Sequence, residues 1–106
     1  MNIIKLCVIA MMIPVITHAN VEDKRTTKTA DSFCYANDEC KDIVSLELDG
    51  MYHKGLNERA QVSVGALINR KAKEFGDFCL HTKDKTMCEN YKNQLMLKYI
   101  TGLLDR

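Results

Sequence analysis

Residues 37–56 read NDECKDIVSLELDGMYHKGL and carry the clearest helical signal in the chain. Their apolar side chains recur at intervals of three and four residues, as on one face of an α-helix. This stripe consists of Cys40, Val44, Leu48, Met51, Tyr52 and Leu56, and Ile43 and Leu46 widen it. Asn37 or Asp38 can cap the helix start, and acidic side chains there favour the positive end of the helix dipole. Gly55 predicts the helix end, because glycine readily takes the left-handed conformation found there.

Two further stretches show the same period. Asn57 can cap a second helix, whose apolar stripe comprises Ala60, Val64, Leu67, Ile68, Ala72, Phe75 and Cys79. Gly65 lies inside this helix, where it would allow another helix to approach closely. Thr86 and Glu89 have the spacing of a capping box and predict the start of a third helix. Its stripe comprises Cys88, Tyr91, Leu95, Tyr99 and Leu103.

The short connections make consecutive helices antiparallel neighbours. The sequence therefore predicts an all-α domain over residues 37–106, a small three-helix up-down-up bundle. Residues 20–36 before it are polar and lack an apolar period, which predicts a flexible N-terminal arm.

Residues 1–19 are typical of a secretory signal peptide. Lys5 provides a basic start, an apolar run of about 11 residues follows from Leu6 to Ile16, and small residues near Ala19 suit a signal peptidase. The run is too short for a membrane helix, which needs roughly 20 residues. We therefore expect a periplasmic or secreted protein without a membrane span after cleavage.

Four cysteines remain after signal cleavage: Cys34, Cys40, Cys79 and Cys88. An even number in an exported chain predicts two disulfide bonds, and the up-down-up topology brings all four sulfurs to one end of the bundle. The helix faces favour Cys40–Cys79 with Cys34–Cys88, and the alternative is the local pairing Cys34–Cys40 with Cys79–Cys88. The cysteine and histidine spacings do not match a zinc site, so neither a metal nor a cofactor is expected.

The charge balance bears on the class of partner. The chain has 15 basic and 14 acidic residues, and Lys5 leaves with the signal, so the mature chain is formally neutral. Nucleic acids and anionic membranes favour basic surfaces, and neither is therefore an expected partner. Another envelope protein is the expected one.

A catalytic role has little support in the sequence. His53 follows Asp49 by one helical turn, and the Asp49 carboxylate could orient the His53 imidazole for base catalysis. Exposed helices offer such histidine–carboxylate pairs by chance. Tyr52-His53, Gln61 and residues 66–70 are similar to part of the cell-wall hydrolase family related to spore-cortex lytic enzymes. That family has a glutamate directly after the Tyr-His pair, where this chain has Lys54. We therefore expect no catalytic residues.

The third helix is apolar over more than one stripe, and such an excess is typical of a contact surface. The predicted partner-binding residues are Leu95, Met96, Tyr99, Ile100 and Leu103. The same surface could support self-association, and the alternative is that a compact bundle buries all of it.

A family resemblance extends over about 60 residues. It rests on Ser32-Phe33-Cys34-Tyr35-Ala36, Glu39-Cys40, Leu46-x-Leu48-Asp49, Cys79, Cys88, Tyr91 and Leu95. In this order of features the chain resembles the small periplasmic LprI-type lysozyme-inhibitor domain. The resemblance implies an exported, four-cysteine, all-helical binding module. Phe75 and Asp77 stand near the places where that family has a tryptophan and an arginine, and no inhibitory residue is carried over.

The predicted function is that of an exported periplasmic protein-binding module without catalytic activity, and the resemblance implies the inhibitor class. One alternative is a plasmid- or phage-encoded envelope accessory protein for conjugation, host killing or lysis control. The other is a small cell-wall hydrolase that uses His53 and a nearby acid.

Overall fold

The computed structural model describes residues 24–106, and this part of the chain contains four helices and no strand. Residues 24–34 form α1, Asp38–Leu56 form α2, Val64–Glu74 form α3 and Lys85–Asp105 form α4. The all-helical class is thus confirmed, whereas the predicted number of three helices is wrong. The predicted signal peptide lies outside the described residues.

The additional helix is α1, in a segment that the sequence assigned to a flexible arm. Ala30 and Cys34 lie one turn apart and are buried, and the ring of Phe33 packs edge-on against Tyr91 with 5.2 Å between centroids. Three apolar residues form too short a stripe to show a helical period, so the sequence did not predict α1. Its stability comes from packing against the other helices rather than from its own composition.

Three side chains cap the helix starts. The Asn37 Oδ1 accepts a hydrogen bond from the Cys40 backbone N–H at 3.0 Å, which confirms the predicted start of α2. Ser63, and not Asn57, caps α3 through the Ala66 N–H. Asp84, and not Thr86, caps α4 through the Met87 N–H at 3.0 Å. The helix boundaries after residue 56 were therefore predicted wrongly.

The connection before α3 makes a tertiary contact. The Arg106 guanidinium donates hydrogen bonds to the backbone oxygens of Arg59 at 2.6 Å and Val62 at 2.9 Å. These bonds join the non-helical residues 57–62 to the end of α4. Because the donor is more than forty residues away, no local pattern reveals this arrangement.

The α2 and α4 helices make the most extensive contact among α2, α3 and α4, and they cross at two glycines. A Cβ added to Gly55 would collide with the backbone oxygen of Tyr99, and one added to Gly102 would collide with the backbone oxygen of Tyr52. The two backbones therefore touch directly. The contact also shows that α2 and α4 run parallel, since the C-terminal turns of both helices meet there.

The glycines play roles that differ from those expected. Gly55 does not adopt a positive φ and lies within α2, which ends one residue later. The close approach expected at Gly65 does not occur, because nothing lies within 4 Å of a Cβ added there. The position of close helix contact is Gly55, and its partner on α4 is Gly102.

The core lies between the helices and is small. Its largest fully buried side chains are Tyr99, Leu48, Leu67 and Leu103. The amino group of Lys71 lies 5.0 Å from the centroid of the Tyr99 ring and covers it from α3. The three later helices thus share one core, with α3 joined to it through Leu67.

The disulfide bonds follow the local alternative: Cys34 pairs with Cys40 and Cys79 with Cys88, at Cα separations of 5.5 and 5.7 Å. The favoured pairing of Cys40 with Cys79 and of Cys34 with Cys88 is therefore wrong. It assumed that Cys79 ends a helix facing α2. In the structure α3 ends at Glu74, and turns over residues 75–80 carry Cys79 to α4.

We expect non-reducing tryptic digestion to show this pairing directly. No lysine or arginine separates Cys34 from Cys40, so residues 29–41 should appear as one peptide with an internal disulfide. Cleavage at Lys83 and Lys85 should leave Cys79 and Cys88 on two linked peptides. Mass spectrometry of the digest provides the measurement. A crosslink between residues 29–41 and either later cysteine would contradict the structure.

Candidate protein-binding surface

The structure divides the five predicted partner-binding residues of α4 into two groups. Leu95, Tyr99 and Leu103 are 2%, 1% and 2% exposed and belong to the core. They are therefore not available to a partner. Met96 and Ile100 are half-buried at the edge of the helix–helix contact.

The two most exposed apolar side chains of α4 lie on its other side. Leu97 is 54% exposed and Leu104 is 69% exposed. They are seven residues apart and therefore share one face of the helix, with Ile100 between them and Met96 alongside. We call these four residues the α4 apolar face.

The α4 apolar face has no charged side chain of its own, although Arg25 and Lys28 of α1 line a cavity together with Leu97. Between Asn93 and Leu104 the one charged residue is Lys98, which is buried at 7% exposure. An exposed helix face normally carries charged residues opposite its apolar stripe. An exposed apolar patch with a polar rim is characteristic of protein–protein contact sites.

Sequence reasoning missed Leu97 and Leu104 because α4 is apolar around most of its circumference. With several stripes available, the period alone does not show which one faces the core. The signal that could have found the outer face is Gly102: a glycine in mid-helix marks a close helix approach, and Leu97 and Leu104 lie on the opposite side.

The histidines considered for catalysis are both at the surface. His53 Nε2 lies 3.5 Å from the Asp49 carboxylate on the outer side of α2, and both side chains are more than half exposed. His81 is exposed in the turn before α4. Over residues 24–106 no three histidine, cysteine or acidic side chains cluster as metal ligands would.

The buried Tyr99 and the half-buried Tyr91 both have hydroxyl groups with raised pKa values. Burial raises the pKa of the Tyr99 hydroxyl, and the Glu58 carboxylate raises it further. Burial likewise raises the pKa of Tyr91, with a smaller contribution from Glu47. Both hydroxyls therefore stay protonated throughout the physiological pH range.

None of the helices in residues 24–106 has the length and apolar character that crossing a membrane requires.

Comparison with known proteins identifies one family. Residues 1–105 match the valyl-tRNA ligase modifier family, which is nearly the whole chain. No curated protein and no solved structure gives a significant match. The matching family is not that of the LprI-type inhibitors, and the resemblance to that domain stays a prediction. The extent of the match shows that the chain belongs to the valyl-tRNA ligase modifier family.

Proposed function

We propose that this protein acts by binding another protein through the α4 apolar face and carries out no catalysis of its own. The observation that carries the proposal is the exposure of Leu97 and Leu104 on a face of α4 that has no charged side chain of its own. Covering such a surface removes apolar area from water, which stabilises a complex by roughly 25 cal/mol per Å² before the costs of association.

The family description supplies the first partner to test, a valyl-tRNA ligase. In this proposal the protein modifies the ligase by occupying part of its surface, so that the change in the ligase comes from the bound complex. Near neutrality of the chain agrees with a protein partner rather than with the tRNA itself.

We expect Leu97→Glu to weaken binding to purified valyl-tRNA ligase by about tenfold or more, because a carboxylate would lose its hydration in an apolar contact. Leu104→Glu should have a similar effect. Isothermal titration calorimetry with the full chain gives the affinities. Circular dichroism should show unchanged helix content, since both side chains are exposed.

Leu46→Glu is the matched control. Leu46 is 77% exposed on the outer side of α2, so the same substitution there changes charge and hydropathy equally without touching the α4 apolar face. Equal weakening by Leu46→Glu and Leu97→Glu would exclude the α4 apolar face as the specific contact. Equal binding to a tRNA ligase of different amino-acid specificity would exclude valyl-tRNA ligase as the specific partner.

A second candidate function is binding to an envelope protein after export. It is supported by the signal-like sequence of residues 1–19 and by the two disulfide bonds, because disulfides persist mainly in oxidising compartments. A tRNA ligase works where translation occurs, so the compartment separates the two candidates.

Cell fractionation with N-terminal sequencing of the isolated protein tests the compartment. A mature chain that begins at Asn20 in the periplasm, with both disulfides closed, would support the envelope candidate. A full-length chain in the cytoplasm would support the ligase. In either case the α4 apolar face is the proposed contact surface.

A further inference from the structure

An open cavity of about 290 Å³ lies between α1, α2 and the start of α4. Its walls are apolar and include the rings of Phe33 and Tyr91, the Val44 and Met87 side chains and the Cys88 end of a disulfide. Met87 is 43% exposed although it belongs to this wall. The α1–α2–α4 cavity is on the opposite side of α4 from the α4 apolar face.

The charges around the α1–α2–α4 cavity are all negative. Glu47 and Asp84 line it, and no lysine, arginine or histidine does. The neighbouring cavities along α1 differ, because Lys24, Arg25 and Lys28 line them. Apolar walls with a carboxylate rim complement a ligand that has an apolar stem and a cationic head.

The two carboxylates do not contribute equally. Asp84 caps α4, so its Oδ1 accepts the Met87 N–H and its charge offsets the positive end of the helix dipole. Glu47 is exposed in the middle of α2 and forms no salt bridge with any residue between 24 and 106. Glu47 is therefore the stronger attractor for a cation.

The hydroxyl of Tyr91 lies close to Glu47 on the buried side of the α1–α2–α4 cavity. It is fully buried and makes no hydrogen bond of normal geometry within the described part of the chain, although the Glu47 carboxylate is near enough to raise its pKa. A cation beside Glu47 would also lie close to the Tyr91 side chain, because the two residues line the same cavity. Aromatic rings and a carboxylate together favour a guanidinium over an ammonium, since the planar, weakly hydrated guanidinium stacks on rings.

We propose that the α1–α2–α4 cavity binds an arginine side chain of the partner protein, with the aliphatic stem along Phe33 and Met87 and the guanidinium at Glu47. The inference rests on the proposed function only in that the arginine belongs to a bound protein. It adds a second contact, which selects partners by charge where the α4 apolar face does not.

The test uses Nα-acetyl-arginine amide as the probe and the full chain labelled with ¹⁵N for NMR. We expect shift changes confined to residues that line the α1–α2–α4 cavity, and weaker binding as salt screens the charge. The neutral isostere Nα-acetyl-citrulline amide should bind at least fivefold more weakly, and Nα-acetyl-lysine amide more weakly than the arginine probe. Equal binding of arginine and citrulline probes, shifts elsewhere or no shifts would overturn the proposal, and equal binding of the lysine probe would overturn the preference for arginine.

Glu47→Gln should weaken binding of the arginine probe about fivefold, as expected for loss of one exposed ion pair. Asp49→Asn on the same helix is the matched control, because it removes an exposed carboxylate that faces His53 instead. Equal effects of the two variants would contradict a specific site at Glu47. The assay contains no partner protein, so its result is independent of whether the α4 apolar face binds valyl-tRNA ligase.

Discussion

Replacing Gly102 with alanine is expected to destabilise the protein by about 3 kcal/mol or more. The added methyl group would collide with the backbone oxygen of Tyr52 and lie 2.9 Å from the Leu56 nitrogen. Backbone atoms within a helix do not rotate away as a flexible side chain can, so α2 and α4 must separate. Overpacking typically costs about 1–3 kcal/mol, and the cost should be at the upper end or above it here because backbone atoms cannot move aside as side chains can. Urea unfolding followed by circular dichroism measures the loss.

The chain contains its own control for this substitution. Gly50 lies in α2, and a Cβ added there meets nothing within 4 Å. Gly50→Ala should therefore raise the free energy of unfolding by about 0.5–1 kcal/mol, because alanine is the better helix former. The same change in residue type should thus have opposite signs at the two positions. Similar stabilities of the two variants would show that the helices do not cross at Gly102.

A double variant tests whether Gly55 and Gly102 form one contact. Gly55→Ala should destabilise the protein to a similar degree, since its methyl group would meet the Tyr99 backbone. Once the helices have moved apart for one methyl group, the second costs less. We therefore expect the double variant to lose less stability than the sum of the single losses. Additive losses would indicate two independent sites.

Replacing Tyr99 with alanine is the second change with a large expected effect, a loss of about 3–5 kcal/mol. The side chain is 1% exposed and is among the largest that are fully buried. Its removal leaves a cavity between α4 and α3 and also ends the contact of the ring with the Lys71 amino group at 5.0 Å. For a domain of this size such a loss approaches the whole free energy of folding.

Leu97→Ala is the control for Tyr99→Ala. Leu97 is on the same helix two residues earlier and is 54% exposed, so its truncation should change the unfolding free energy by about 0.5 kcal/mol or less. Thermal and urea unfolding of both variants provide the comparison. Should Leu97→Ala be the more damaging of the two, the rotation of α4 about its axis would differ from the one described above.

Features set by residues close in the sequence were predicted more successfully than features set by distant residues. The all-helical class and the start of α2 at Asn37 depend on residues within one or two turns of one another, and both predictions are confirmed. The predicted start of α4 missed the local cap Asp84. The predicted start of α3 missed the local cap Ser63 and also a distant contact, because the Arg106 guanidinium bonds to backbone oxygens of residues 57–62 and this contact has no local sequence signal.

The disulfide pairing failed for a related reason. The predicted helix faces pointed Cys40 at Cys79, but α1 places Cys34 beside Cys40 at the start of α2. A helix supported mainly by Ala30 and Phe33 has too few apolar residues to predict from a period. The effect of α1 on the disulfide pairing is therefore visible only in the tertiary structure.

The candidate contact surface shows the same division within one helix. Sequence alone showed that the segment of α4 is apolar on more than one side, from which a contact surface was predicted. Only the tertiary structure selected Leu97 and Leu104 as the exposed residues and placed Leu95, Tyr99 and Leu103 in the core. The physical reason is the crossing of α2 and α4 at two glycines, because direct backbone contact at Gly102 fixes which side of α4 faces inward.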